Sequence, residues 1–433
     1  MHARGRLRGL VCAGLAAGVL GAALPAAPAR AQGWPASAAL IDARAEALAP
    51  GSHATPEAVA QALTAGLTQD MERLYALYRW VTRHVRYDTE AYFAGDLRNA
   101  AGSANAFNNG RAVCDGYAEL LQVMARAVGL RMEKVVGYGK GLGHADGSLP
   151  AQSNHAWNAV MLGQRWYLMD ATWDAGHVNG STRQFVRNTA GFKYFLADPE
   201  LFSTSHFPSD ARWQLQRGKL DLPQFLALAK IRPDIGAFAI DVREHRARQQ
   251  GGSAAPVVFD FGPAAQTFSA ELRRAGRRVE GHWTLLHRSA DNGTRLLVAA
   301  PEAGEYELSV FAPRRAGDTS SEQVLDYRVA IASTGPHARG FPLAFGEYGR
   351  RHIELKAPLA GVLPAGKPVA FALRAEGAVE VFVVHSGQLN TTLAARDGGH
   401  AGELVLQPGE ATVYARFDAS SRTGQALLRY RVE

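Results

Sequence analysis

One cysteine in this sequence is placed where it could act as a nucleophile. Cys114 comes just before Tyr117, Leu120, Leu121, Met124 and Val128, whose spacing predicts a helix that begins near the cysteine and ends at Gly129. The N-terminus of a helix carries partial positive charge and unpaired N–H groups. Both stabilise a thiolate and an oxyanion that develops on a substrate. Cys114 is therefore a candidate nucleophile.

A histidine and an aspartate frame a hairpin further along the chain. His155 begins an apolar strand that ends at Leu162, Gly163-Gln164 forms the expected turn, and a second strand leads to Asp170. If the turn has two residues, Asp170 lies opposite Trp157, and His155 and Asp170 share one face as diagonal neighbours. A loop one residue longer would put them on opposite faces. In the first case the carboxylate can orient the imidazole, which in turn can act as a base for a nucleophile.

The N-terminal residues have the pattern of a secretory signal peptide. Three arginines precede an apolar run from Gly9 to Leu24, and Ala29-Arg30-Ala31 is typical of a cleavage site. We therefore predict a signal peptide at residues 1–31, export to the periplasm or the extracellular space, and a mature chain that does not span the membrane. Cys12 would leave with this peptide, so Cys114 would be the single cysteine of the mature protein. Such a residue is either a small apolar core side chain or a thiol kept for chemistry.

Composition excludes some classes of function. Residues 1–31 hold four arginines and no acidic residue, so their removal lowers the formal net charge from +7 to +3. The mature chain has no long basic run, and we expect no nucleic-acid partner. No phosphate-binding glycine loop, paired-cysteine zinc pattern or dinucleotide fingerprint is present, and we expect no cofactor.

The mature chain divides into three predicted regions. Residues 32–235 combine helical patterns with apolar strands, which predicts an α+β domain. From about residue 236 the pattern changes to alternating strands separated by glycine and proline turns, as in Tyr306, Leu308 and Val310. This pattern predicts two β-sandwich modules, at residues 236–335 and 336–433.

Three segments resemble the core motifs of the transglutaminase-like superfamily, and more narrowly its kyphoscoliosis peptidase branch. They are Ala112–Ala118, Asn154–Val160 and Trp166–Trp173, and the later His206-Phe207-Pro208 is also similar to that branch. The resemblance is strong over residues 70–216 and weaker beyond. It implies a papain-like core with Cys114 as nucleophile, His155 as base and Asp170 as orienter. The acidic metal loops of calcium-dependent transglutaminases are not evident, so we predict no metal.

The remaining pocket residues are less constrained by the sequence. Asn108 and Asn109 are candidates for a second oxyanion donor, although Asn-Asn-Gly is also typical of a turn. Tyr117, Trp157 and Trp173 are expected to line a substrate pocket or to pack in the core. Four histidines lack such a context and are expected to be surface or packing residues: His84, His144, His177 and His206.

Two classes of function agree with this pattern. The first is an exported cysteine enzyme that forms a thioester from a peptide amide or a Gln side chain and passes the acyl group to water or to an amine. The second is a non-catalytic scaffold in which the pocket holds a peptide and the β modules hold a cell-envelope partner. The intact Cys114, His155 and Asp170 favour the enzyme, with a peptide or protein as its substrate. Residue identity does not separate a peptidase, an amidase and a cross-linking enzyme, although an excess of water favours hydrolysis.

Overall fold

The computed structural model describes residues 37–142, 152–189, 191–231, 248–251, 256–263, 268–288, 293–313, 321–385 and 389–433. The predicted signal peptide and the predicted boundary at residue 235 lie outside these ranges. Within them, no helix is long and apolar enough to cross a membrane.

The N-terminal region combines nine helices with one main sheet among its described residues. Its helices are α1 (Ala38–Ala47), α2 (Pro56–Thr64), α3 (Asp70–His84), α4 (Thr89–Ala94), α5 (Ser103–Asn109), α6 (Cys114–Ala127), α7 (Ala171–Ala175), α8 (Pro199–Phe202) and α9 (Leu222–Ala227). Its strands are β1 (Arg86–Tyr87), β2 (Arg111–Ala112), β3 (Met132–Gly139), β4 (His155–Leu162), β5 (Arg165–Met169), β6 (Gly176–Val178), β7 (Phe185–Arg187) and β8 (His206–Pro208).

The main sheet is antiparallel and has the strand order β5-β4-β3-β8. One face packs on the helices α2, α3 and α6, where Val160 and Met169 join a buried cluster with Tyr117, Leu120 and Leu121. Trp157 and Leu168 point to a second, smaller apolar cluster with Phe202 and Trp213. The sheet is thus covered on both faces, and its β4–β5 hairpin is rigidly held.

The sequence predicted these elements well. Helix α6 begins at Cys114, and Gly129 has a left-handed φ of 79°, a conformation that glycine adopts without strain. The predicted strand from His155 to Leu162 matches β4. Leu162 pairs with Arg165, so the turn at Gly163-Gln164 has two residues and the predicted register is confirmed.

The C-terminal region is rich in β structure. Its strands are β9 (Arg248–Gly251), β10 (Val257–Pro263), β11 (Ser269–Arg274), β12 (Arg277–Arg278), β13 (Thr284–Arg288), β14 (Gly293–Val298), β15 (Gly304–Pro313), β16 (Ser321–Ile331), β17 (Leu343–Ala344), β18 (Ile353–Ala357), β19 (Val362–Leu363), β20 (Pro368–Ala375), β21 (Glu380–His385), β22 (Leu389–Thr392), β23 (Ala394–Arg396), β24 (Gly399–Val405), β25 (Gly409–Arg416) and β26 (Gln425–Val432). A short helix, α10 (Gly346–Arg350), lies between β17 and β18.

The described part of this region contains four sheets. The orders β10-β14-β13 and β12-β11-β15-β16-β9 precede the predicted division near Gly335, and β17-β26-β25-β21-β22 and β18-β20-β24-β23 follow it. Buried residues on both sides of the division belong to one continuous apolar cluster, which runs from Ala229 to Val432. The described residues therefore form a β-rich C-terminal region, and its division into two sandwich modules stays a prediction.

Candidate active site

Cys114 is the first residue of α6, and its position is set by the strand before it. Tyr87 in β1 pairs in parallel with Ala112 in β2, and the chain then turns at Val113 into the helix. No side chain caps this N-terminus, which leaves its partial positive charge facing the thiol. Asp115 follows but forms an ion pair with Lys134 at 2.7 Å, which offsets its negative charge. The partly exposed Cys114 thiol thus lies at the positive end of a helix.

His155 and Asp170 meet at the open end of the hairpin. The His155 Nε2 atom lies 2.8 Å from Asp170 Oδ2, and both side chains are buried. The other carboxylate oxygen of Asp170 accepts hydrogen bonds from the backbone N–H groups of Thr172 at 2.8 Å and Trp173 at 3.1 Å, so Asp170 also caps α7. These two bonds fix the carboxylate, and the carboxylate fixes the imidazole.

The opposite charges of His155 and Asp170 stabilise each other. Burial disfavours the imidazolium of His155, but the charge and hydrogen bond of Asp170 and a hydrogen bond with Cys114 outweigh it and raise the pKa of His155. Burial likewise disfavours the carboxylate of Asp170, but His155 and a second histidine, His206, lower its pKa well below the usual range. The imidazole is thus hydrogen-bonded to the carboxylate, and its pKa also responds to the thiol of Cys114.

His206 is a member of the site that the sequence analysis missed. Its Nε2 lies 3.1 Å from Asp170 Oδ2, and its Nδ1 lies 2.9 Å from Ser205 Oγ. The prediction that His206 is a packing residue describes its burial but omits these bonds. A signal was present, because His206-Phe207-Pro208 was among the segments that resemble the kyphoscoliosis peptidase branch.

The three buried residues His155, Asp170 and His206 offer ligand atoms within 4.8 Å of one another, an arrangement that could also hold a metal ion. Their geometry is explained by hydrogen bonds, since both Nε2 atoms are within hydrogen-bond distance of the same carboxylate oxygen. A cation there would have to displace both N–H groups.

A second buried carboxylate, that of Asp174, helps to hold the turn that carries Asp170. Asp174 accepts hydrogen bonds from the Tyr78 hydroxyl at 2.6 Å and from the backbone N–H groups of Lys193 at 2.6 Å and Tyr194 at 2.9 Å. Burial raises its pKa to about 7 against these favourable bonds. Because the Asp174 backbone N–H also bonds to the Asp170 carbonyl at 3.2 Å, this network holds the turn that carries Asp170. Neither Tyr78 nor Asp174 was predicted as a site residue.

A cavity of about 710 Å³ opens beside the imidazole. Aromatic side chains form much of its wall, and Trp173 stacks on His155 with 4.9 Å between the ring centres. Gly139 lies on the other side of the ring, where a Cβ atom would come within 3.0 Å of three His155 atoms. One side of the cavity is formed by Gln323, Val324 and Asp326 of β16. The C-terminal β region therefore borders the same cavity as the histidine.

The other predicted pocket residues lie in three different places. Trp173 lines the cavity. Trp157 is buried in the small cluster with Phe202 and Trp213, and Tyr117 is buried in the helical core, so neither is among the cavity-lining side chains. Asn108 and Asn109 are exposed at the end of α5, where the Asn109 amide bonds to Asn105. They too lie away from the cavity wall, and Gly110 ends their helix with a left-handed φ of 60°.

Comparisons with known proteins agree with this site. Residues 57–171 match the family model of the transglutaminase-like superfamily. Kyphoscoliosis peptidase of Mus musculus is 33% identical over 262 residues, and that of Homo sapiens is 32% identical; each match covers 60% of this chain and 38% of the relative. The Lim and transglutaminase domain protein ltd-1 of Caenorhabditis elegans is 23% identical, and the match covers 65% of this chain and 39% of that protein.

The chain thus spans about two fifths of the length of these curated relatives. A solved TGase structure aligns with 31% of this chain and 32% of its own at 16% identity, with a TM-score of 0.22 that is too low to bear on the fold. The stretch of this chain that matches the family model, residues 57–171, includes Cys114, His155 and Asp170. Residues 57–171 of this chain therefore form a transglutaminase-like domain, and the chain is similar in sequence to the kyphoscoliosis peptidases.

Proposed function

We propose that this protein is a cysteine acyl-transfer enzyme that acts on peptide amides or Gln side-chain amides. One observation carries the proposal: the imidazole of His155 is hydrogen-bonded to Asp170, and Cys114, at the N-terminus of α6, contributes to the raised pKa of that ring. A histidine between a thiol and a buried carboxylate is the arrangement required for nucleophilic catalysis with proton transfer.

In the proposed reaction the Cys114 sulfur attacks the carbonyl carbon of the amide. The imidazolium of His155 gives its proton to the departing nitrogen, the C–N bond breaks, and a thioester with Cys114 remains. Water or an amine then attacks the thioester carbonyl and loses a proton to the neutral imidazole. The C–S bond breaks, the acid or the new amide leaves, and the Cys114 sulfur and the imidazolium of His155 return to their starting state. Asp170 keeps the ring oriented and stabilises its positive charge.

We favour hydrolysis over transfer to an amine. The mouse and human relatives are named as peptidases, and an exported enzyme works in a large excess of water. Export is itself part of the proposal and is supported by the N-terminal pattern of residues 1–31. A peptide or protein is the expected substrate, and β16 offers a wall of the cavity against which part of it could pack.

The deciding experiment identifies the acceptor of the acyl group. The mature protein is incubated with Gln-containing peptides, with and without a primary amine, and the product masses are measured. Backbone cleavage identifies a peptidase, deamidation alone an amidase, and addition of the amine at Gln a transglutaminase.

Cys114→Ala serves as the control and should form none of these products. If the wild type also forms none with varied peptides, while Cys114→Ala binds cell-envelope partners as well as wild type, a non-catalytic scaffold replaces the enzyme.

A further inference from the structure

The carboxylate of Asp170 has a second histidine as its partner. His155 and His206 both bring their Nε2 atoms to the same oxygen, at 2.8 Å and 3.1 Å. His155 is the partner that faces Cys114. His206 enters from β8, on the opposite edge of the sheet from β5, and the residue is 2% exposed.

The hydrogen bonds of His206 define one tautomer. A carboxylate only accepts hydrogen bonds, so the His206 nitrogen that faces Asp170 must carry a proton. Ser205 Oγ lies 2.9 Å from the other ring nitrogen, against 3.4 Å from the Phe202 carbonyl, so its hydroxyl proton is better placed toward the ring. A neutral imidazole with its proton on Nε2 satisfies both contacts, with Nδ1 as the acceptor from Ser205.

The surroundings favour this neutral form. Phe202 stacks on the ring with 3.9 Å between ring centres, and Trp173 lies 4.4 Å away on the same measure. The ionisable groups that act on His206 are Asp170, His155 and Lys230. Burial lowers the pKa of His206 to about 4, and the repulsion from His155 and Lys230 acts in the same direction against the attraction of Asp170.

We propose that His206 is a positioning residue, which as a neutral Nε2–H donor holds the Asp170 carboxylate ionised and aimed at His155. The role would be greatest when His155 has given up its proton, because the buried carboxylate then has no cation beside it. At that stage the fixed donors are the two backbone N–H groups on one oxygen and His206 on the other. Ser205 acts through His206, since its hydroxyl keeps the proton on the nitrogen that faces Asp170.

This inference rests on the proposed function for its meaning in catalysis, but its test needs no substrate. The first measurement is the long-range proton–nitrogen NMR correlation of histidine side chains in wild-type protein labelled with ¹⁵N in the imidazole rings. The His206 signals, assigned by their loss in His206→Gln, should show a neutral ring protonated at Nε2 from pH 5 to pH 8. An imidazolium in this range, or a proton on Nδ1, overturns the proposal.

The second measurement is the rate at which iodoacetamide alkylates Cys114 at pH 5. His206→Phe keeps a stacked ring but has no donor, and it should slow alkylation by about threefold to tenfold through loss of one hydrogen bond to a charged group. His206→Gln restores an N–H at similar reach and should recover most of the wild-type rate. Equal rates in His206→Phe and wild type, or no recovery in His206→Gln, would remove the positioning role.

Phe202→Leu is the matched control for packing. It removes the ring that stacks on His206 but touches neither carboxylate oxygen, so it should lower stability and leave the alkylation rate within about twofold of wild type. A slowing as large as that of His206→Phe would mean that packing, not the hydrogen bond, sets the rate. If the wild type forms no product from any peptide while the NMR and alkylation results are as expected, the proposed function fails and the role of His206 stands.

Discussion

Replacement of Asp170 by asparagine tests the coupling of charge, tautomer and stability in one step. The asparagine side chain has the same shape, and its oxygen can keep the two backbone hydrogen bonds from Thr172 and Trp173. Its NH₂ group then faces the two histidine nitrogens. Because that group only donates, His155 must accept at Nε2 and move its proton to Nδ1, toward Cys114.

The expected loss of stability follows from the two hydrogen bonds at Oδ2. Each changes from a charge-assisted bond accepted by the carboxylate to a neutral bond donated by the amide, at a difference of about 1 kcal/mol. The free energy of unfolding should therefore fall by about 2 kcal/mol near pH 5.5. Denaturant unfolding curves of wild type and Asp170→Asn at a series of pH values would measure it.

The sign of the pH dependence follows from the directions of the two pKa shifts. The lowered pKa of Asp170 gives stability that is present above the unfolded value of about 3.9 and is lost as the pH falls below it. The raised pKa of His155 gives stability that is complete below the unfolded value of about 6.5 and is lost as the pH rises above it. The advantage of wild type over Asp170→Asn should thus be greatest between about pH 4 and pH 6.5.

Alkylation of Cys114 gives the chemical counterpart. Iodoacetamide reacts with the Cys114 sulfur, so its rate reports how well the imidazole assists that sulfur. Because the amide cannot accept the His155 proton at Nε2, Asp170→Asn should react about tenfold more slowly than wild type at pH 5. Asp115→Asn is the control, because Asp115 is a partly exposed carboxylate in an ion pair next to the same cysteine. A stability difference that is constant from pH 4 to pH 8, or an unchanged alkylation rate, would refute the coupling.

Three further predictions concern the imidazole, its glycine neighbour and the domain boundary. His155→Ala should slow alkylation of Cys114 at pH 5 to the rate of an unfolded control, as measured by mass spectrometry. Equal rates in wild type, variant and unfolded control would contradict the hypothesis that the thiol is activated. Gly139→Ala should slow alkylation of Cys114 about tenfold and leave the circular dichroism spectrum unchanged, because the added Cβ atom would press on the His155 ring. A wild-type alkylation rate would show that the ring has room to move. Limited proteolysis should cut between residues 235 and 250 and leave a stable core, whereas a resistant full-length chain would indicate tight packing of the β region on the core.

The sequence by itself determined that Cys114 begins a helix and that His155 and Asp170 frame a hairpin. The apolar spacing after Cys114 requires a helix that starts there, and the two-residue turn fixes the register of β4 and β5. Register then decides which side chains share a face, because the side chains of a strand alternate. The spacing of His155 and Asp170 about that turn was therefore enough to pair them.

Tertiary packing decided what surrounds that pair. Asn108, Asn109, Tyr117 and Trp157 are close to the motifs in sequence, but the direction of each side chain depends on which face of its helix or strand is buried. The spacing of apolar residues predicts that one face of an element is buried, but it does not predict whether that face packs in the core or lines a cavity.

The positions of His206 and β16 also could not be predicted from local sequence, because both are distant in sequence from the residues they approach. His206 is 36 residues from Asp170, and Asp326 lies far beyond both in the sequence. They reach the site because β8 adds to the free edge of β3 and because β16 lies beside the cavity. Contacts between distant segments come from the packing of whole elements, so the resemblance at His206-Phe207-Pro208 could mark the segment without showing that it meets Asp170.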